Sequence, residues 1–292
     1  MMCRVLLLLL VVLVARASLA TTQSGDARQL RFRADTRTFK IVQFTDQHYG
    51  EGEDVAWGRQ QDINSTRVMR SVLHHETPDL VVYTGDQLTG NNIHDNATSY
   101  WRELLAPTLA ANLSWAFVFG NHDDMPLQPG HPQHGLGSDT SRAQLLAFDN
   151  QFPGSLSFDE NPALPGVTNF HLNIKHSTGN GSTPLFFFDS GGGTLPEVVH
   201  EAQVDWYRSL PSTSPGIAFM HIPLQQYTTA IASGEGCFGM HHDDVTPQAR
   251  DTGLFRAFVD KSDVQAVFVG HNHGNDWCCS LSGLWLCYGR HT

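Results

Sequence analysis

One coincidence constrains this chain more than any other: short β-branched or aromatic runs repeatedly stop at clusters of Asp, Asn, His and Gly. The candidate strands are Phe39–Thr45, Leu80–Thr84, Trp115–Phe119, Leu185–Phe188, Ile217–Met220 and Val264–Val269. The first runs into Asp46-Gln47-His48, the second into Gly85-Asp86-Gln87 and the third into Gly120-Asn121-His122-Asp123. The fifth meets His221, and the sixth meets Gly270-His271-Asn272-His273. Open α/β sheets bind ligands outside the carboxyl ends of their strands, so five such loops can converge on one place. All the donors are oxygen or imidazole. Two divalent cations about 3.5–4 Å apart need a carboxylate to bridge them and neutral imidazoles to complete each shell. Singly, Asp-x-His or Gly-Asp is more often an ordinary turn; the order of the five blocks carries the reading.

Between the strands lie helical-looking stretches at Asn64–Glu76, Thr98–Ala111, Arg142–Phe152, Pro196–Leu210 and Pro247–Asp260, with Ser, Thr or Pro near several starts. The alternation predicts an α/β fold in which helices cover mixed β-sheets. The Gly/Pro/His-rich stretches Met125–Ser138 and Ser233–Thr246 read as long loops.

With 292 residues, 40% of them hydrophobic, the chain can bury one sizeable core. Its 18 Lys and Arg against 29 Asp and Glu give a net charge of −11, which repels nucleic acid, so no nucleic-acid binding is expected. Residues 1–20 read as a signal peptide: Arg4, an apolar run from Val5 to Val14, then small residues suited to cleavage after Ala17 or Ala20. Residues 21–292 then form a single catalytic domain, with no later stretch long enough to span a membrane. Export suits four acceptor sequons, at Asn64, Asn96, Asn112 and Asn180, and an even set of remaining cysteines, Cys237, Cys278, Cys279 and Cys287, whose pairing the sequence leaves open.

The ordered blocks Asp46-x-His48, Gly85-Asp86, Gly120-Asn121-His122, His221 and Gly270-His271-x-His273 resemble the calcineurin-like metallophosphoesterases. The runs Thr84–Leu88, His221–Leu224 and Gly270–Cys278 are similar to its purple-acid-phosphatase-like branch. The resemblance spans about Thr38 to the end and implies a four-layer α-β-β-α sandwich with two mixed sheets. It implies that Asp46, His48 and His273 bind one metal and Asn121, His221 and His271 the other, with Asp86 bridging. The metals would be Fe, Zn or Mn, and a water activated by them would attack phosphorus in line. His122 would serve the leaving oxygen as proton donor or charge stabiliser.

The chain also departs from relatives of this kind. Purple acid phosphatases have Gly where His48 stands and Tyr where Thr89 stands, so no purple chromophore is expected. In the protein-phosphatase branch an Asp at the position of Thr89 supports the catalytic His; Asp123 is the substitute candidate here. Relatives continue beyond the position of Thr292 through a Gly/Tyr-rich turn into another strand, so a chain stopping there is expected to lack an edge strand and fold less well. The implied activity is a secreted or vacuolar metal-dependent, acid-phosphatase-like hydrolysis of phosphomonoesters, on small molecules or phosphoproteins. A phosphodiesterase or nucleotidase with the same centre, and a catalytically weak metal-binding protein, are the alternatives. His94, His131, His134, His171, His176, His200 and His291 have no spacing that marks them as ligands.

Overall fold

Strands that are apolar on both faces must be covered on both faces, and this requirement sets the layers here. The computed structural model describes residues 29–93, 97–126, 140–211 and 215–292. The proposed signal peptide, Asn96, His94, His131, His134 and residues 127–139 of the first long loop lie outside them. In chain order the elements are β1 (Ile41–Phe44), α1 (Ala56–Glu76), β2 (Leu80–Thr84), α2 (Ala97–Ala110), β3 (Trp115–Val118), α3 (Arg142–Asp149), β4 (Phe170–Lys175) and β5 (Ser182–Phe187). They continue with α4 (Glu201–Ser209), β6 (Gly216–Phe219), α5 (Gln226–Ser233), α6 (Leu254–Lys261), β7 (Val264–Val269), β8 (Cys278–Leu281) and β9 (Leu284–Tyr288).

The strands form two sheets, β1-β2-β3 and β4-β5-β6-β7-β9-β8. Strand β2 is buried at all five positions, and its side chains alternate between two cores. Val81 and Tyr83 join Trp101, Leu104 and Leu105 of α2 and Met69 of α1. Leu80 and Val82 face the second sheet, meeting Phe170, Leu185, Phe187 and Phe219. The outer face of that sheet carries Phe186, Ala218 and Val267 against Tyr207 of α4 and Phe258 of α6. The order is therefore helices, sheet, sheet, helices, as expected. The larger sheet is mixed, with antiparallel β4/β5 and β8/β9 pairs around parallel ones. The three-stranded sheet, expected to be mixed as well, is parallel throughout, because a helix crosses over between each pair of its strands.

Local chemistry explains the boundaries that moved. Helix α1 begins at Ala56, eight residues before the expected start, where the loop after β1 has turned back. Residues 196–200 stay non-helical, and His200 caps α4 by accepting from Ala202 N–H at 3.3 Å. Ser141 caps α3 in a capping box with Gln144. Strands β4, β8 and β9 and helix α5 escape the sequence pattern: β4 is a partly exposed edge strand, β8 and β9 form a short hairpin past the last candidate strand, and α5 sits inside a stretch with no clear period. Two disulfides brace the end of the larger sheet. Cys278 pairs with Cys287 directly across the β8/β9 ladder, and Cys279 pairs with Cys237 in the loop between α5 and α6.

Candidate metal centre

The loops after β1 and β2 stay paired past the strands themselves. Asp46 N–H donates to Gly85 O, His48 N–H to Asp86 O and Tyr49 N–H to Gln87 O, each at 3.0 Å. To hold this pairing while turning side chains toward one point, the backbone enters the left-handed region at Asp46 (φ 56°), His48 (51°) and Asp86 (51°), and again at His271 (76°). Such conformations cost about 1–3 kcal/mol each outside glycine and persist where the surrounding structure imposes them. Gly120 answers a different need: a Cβ there would lie 2.2 Å from Asp86 Oδ1.

Two groups of donors result. Asp46, His48 and His273 bring one ligand atom each to within 4.8 Å of one another, and so do Asp86, His221 and His271. His48 Nε2 faces His273 Nε2 at 3.1 Å, and Asp46 Oδ1 is 3.5 Å from His273 Nε2. Asn121 Oδ1 closes the second group, 3.0 Å from His221 Nε2 and 2.9 Å from His271 Nδ1. One oxygen faces both groups: Asp86 Oδ2 lies 3.1 Å from His221 Nε2 and 3.7 Å from His48 Nε2. All seven sequence candidates for metal ligation thus meet in one place.

The donor chemistry fits two cations. His221 Nδ1–H donates to the Thr84 carbonyl at 2.8 Å, which turns Nε2 to the second donor group, where a cation would replace the proton it shares with Asp86. His48 Nδ1 meets Thr89 Oγ1 at 2.9 Å, and its Nε2 faces His273 in the first group. Burial pushes the His48 imidazole down to about 3 and, with the His221 charge, pushes His271 down to about 4, so both stand as neutral donors. Burial also raises the Asp46 carboxyl. Burial opposes ionisation at His221 and Asp86 too, but their mutual attraction prevails, raising His221 to about 9 and holding Asp86 well below the usual carboxylate range. Imidazole and carboxylate donors of this kind suit Fe, Zn and Mn.

His122 and Asp123 occupy different places. His122 is half-buried; its backbone N–H donates to Asp86 Oδ1 at 2.7 Å, and its ring centre lies 5.1 Å from that of His48. Its Nδ1 meets Asn91 Oδ1 at 3.0 Å. The Asp123 carboxylate turns to the backbone instead, accepting from Asp86 N–H (3.1 Å), Leu88 N–H (2.9 Å) and Gly120 N–H (2.7 Å). Burial, with the Asp86 charge second, pushes it up to about 7.

Sequence reading assigns no task to four neighbours of the centre. Thr89 and Asn91 follow Asp86 on the same loop and touch His48 and His122. Arg142, buried at the start of α3, donates to Gly120 O (2.8 Å), Gly192 O (2.8 Å), Asp124 Oδ1 (3.0 Å) and Asp189, tying two loops beneath Asn121. His291 stacks on His273 with ring centres 4.8 Å apart. Only Thr89 and Asn91 carried a signal, their closeness in sequence to Asp86. Other histidines serve the frame, as His171 does in pairing with Glu160 at 2.8 Å. Among the sequons, Asn112 and Asn180 are exposed and Asn64 lies on α1, half-buried.

Comparison with known proteins agrees with this geometry. An Arabidopsis thaliana protein named "Probable inactive purple acid phosphatase 28" is 30% identical, over 89% of this chain and 71% of its own length. The phosphatase DCR2 of Saccharomyces cerevisiae is 30% identical over 87% of this chain and 48% of its own. A dimetal phosphatase from Danio rerio has the same fold, with a TM-score of 0.56, 13% identity and 87% of each chain covered. The family model for calcineurin-like phosphoesterases matches residues 39–275, from just before β1 to just past His273. The chain belongs to the calcineurin-like phosphoesterase family.

Proposed function

We propose that this protein is a dinuclear-metal phosphatase that hydrolyses phosphomonoesters of small molecules or phosphoproteins within the secretory pathway, in a secreted or vacuolar location. The observation that carries this reading is the position of Asp86 Oδ2 between His221 Nε2 and His48 Nε2, where one carboxylate oxygen serves two donor groups. Asp46, His48 and His273 would hold one cation, and Asn121, His221 and His271 the other, with Asp86 placed to serve both. When bound, the two cations supply an acidified water and a clamp for the phosphoryl oxygens.

The chain's own residues supply the rest. Thr89 and the Thr84 carbonyl orient the ligating rings, so the site is assembled before substrate arrives. His122, with Nδ1 engaged by Asn91, presents Nε2 to the leaving oxygen and donates a proton as the phosphorus–oxygen bond breaks. With a net charge of −11 the surface adds no general attraction for an anionic substrate, so selectivity falls to the loops around the centre. Two disulfides and the surface-exposed sequons at Asn112 and Asn180 support export and glycosylation.

The name of the Arabidopsis relative favours a second reading, a metal-binding protein with little turnover. Hydrolysis of an aryl monoester and an aryl diester by metal-stripped protein, resupplied with Mn, Zn or Fe, separates the two. Monoester turnover that returns with metal and is lost in Asp86→Asn and His122→Ala supports the phosphatase. Two bound metals with no turnover of either ester supports the second reading, and diester turnover alone points to a phosphodiesterase.

A further inference from the structure

The segment Thr89-Gly90-Asn91 follows Asp86 on the same loop, and every residue in it touches a different part of the machinery. Thr89 Oγ1 meets His48 Nδ1 at 2.9 Å. Gly90 N–H donates to the His122 carbonyl at 2.8 Å, and a Cβ on Gly90 would come within 2.9 Å of that oxygen and 3.0 Å of the Asp123 carbonyl, so glycine lets the two loops touch. Asn91 is thereby delivered to His122, with Oδ1 3.0 Å from Nδ1. Asp123, the side chain that sequence offered for this task, is engaged elsewhere, and so is Thr89, which stands where the protein-phosphatase branch has its supporting Asp. Thr89 serves His48, and Asp123 accepts three backbone N–H groups.

We infer that Asn91 is the positioning residue of His122: its amide oxygen holds the proton on Nδ1 and turns Nε2 toward the leaving-group oxygen. An amide oxygen beside Nδ1 only accepts, so that nitrogen keeps its hydrogen whether or not Nε2 is protonated. In the chemical step the Nε2–H bond breaks and an O–H bond forms as the phosphorus–oxygen pair departs with the leaving group. His122 is left neutral with Nδ1–H still on Asn91, ready to regain a proton at Nε2 from water. The contact adds orientation without adding a further negative charge beside Asp86, Asp46 and Asp123. The inference rests on the phosphatase reading for its kinetic consequence, and on the hydrogen bond alone for its structural one.

The test uses full-length protein loaded with metal, comparing wild type, Asn91→Leu and Asn91→Asp on an aryl phosphate with a good leaving group and an alkyl phosphate with a poor one. Protonation of the leaving oxygen matters more for the alkyl ester. Asn91→Leu is therefore expected to lower kcat on the alkyl ester by about 10–100-fold and on the aryl ester by only a few-fold. Two metals per chain remain bound, and Asn91→Asp, which keeps an acceptor, restores most of the loss. Equal losses on both esters, or loss of metal, would overturn the inference. Nitrogen-15 NMR of His122 reads the contact without turnover. Protonated Nδ1 in the neutral wild-type ring, lost as a fixed state in Asn91→Leu, is expected, and a proton on Nε2 with bare Nδ1 would overturn it. A wild type with no turnover but with the Nδ1–H signal would fail the phosphatase reading and leave the contact standing.

Discussion

The backbone N–H of Asp86 donates to the Asp123 carboxylate at 3.1 Å, so the residue that faces both donor groups is held from behind by the loop carrying Asn121 and His122. Asp123 binds Leu88 N–H and Gly120 N–H as well. Asp123→Ala leaves three buried donors without an acceptor, at about 1–3 kcal/mol each. A loss of at least about 3 kcal/mol in urea denaturation is expected. His122→Ala keeps its backbone N–H on Asp86 and is expected to lose turnover with little change in stability. Similar midpoints for the two variants would contradict this division of labour.

Metal removal should be visible in stability. Seven donors converge on Asp86 and its neighbours, and a ligand that binds only the folded state stabilises by about 2.7 kcal/mol at a hundred times its dissociation constant. Chelation is expected to lower Tm, and Mn, Zn or Fe to restore it. Asp86→Asn, lacking the shared charge, is expected to show a much smaller metal-dependent rise. Equal rises in both proteins would argue that the bound metal lies elsewhere.

Asp149 links pH to folding. It is fully buried, accepts Trp101 and Trp115 indole N–H groups on Oδ1 at 2.8 and 3.0 Å and the Ser155 hydroxyl on Oδ2, and burial raises it to about 6. The folded pKa lies above the unfolded one of about 4, so between those values the native state holds a proton that the unfolded chain has released. Its contribution is full below about pH 4 and is lost as pH rises through about 6. Asp149→Asn stays neutral throughout. The stability difference between variant and wild type is expected to shift in the variant's favour by on the order of 2–3 kcal/mol from pH 4 to pH 7. A difference that does not move with pH would refute this.

The two disulfides close very different loops, separated by 42 residues for Cys237–Cys279 and 9 for Cys278–Cys287. On chain-entropy grounds they stabilise by about 4 and about 2.6 kcal/mol. Guanidinium unfolding of the paired Cys→Ala variants is expected to show the larger loss for the longer loop, and the reverse order would contradict it.

Much of the centre was legible because its ligands sit immediately after strands. Once Leu80–Thr84 is recognised as a buried strand, Asp86 must lie at its carboxyl end, and the same holds for Asn121 after β3 and His271 after β7. Parallel pairing then sets those ends side by side. Elements without such a pattern stayed hidden. Edge strand β4 has only a partly buried face, and α5 is short and weakly periodic. The start of α1 depended on where an irregular loop turned back.

The sequence by itself determined the α/β alternation and the donors at the strand ends, which follow from local composition and order along the chain, while the four layers came from the family that those ordered blocks resemble. Tertiary structure alone decided who supports whom. Asn91 and not Asp123 reaches the His122 ring, Thr89 turns to His48, Arg142 braces the loops from a different helix, and His291 arrives beside His273 from 18 residues away. The physical reason is that these contacts depend on loop paths and side-chain direction across 3 Å gaps. Spacing along the chain carries no record of such directions until the strained loops at Asp46, His48 and Asp86 have been set against one another.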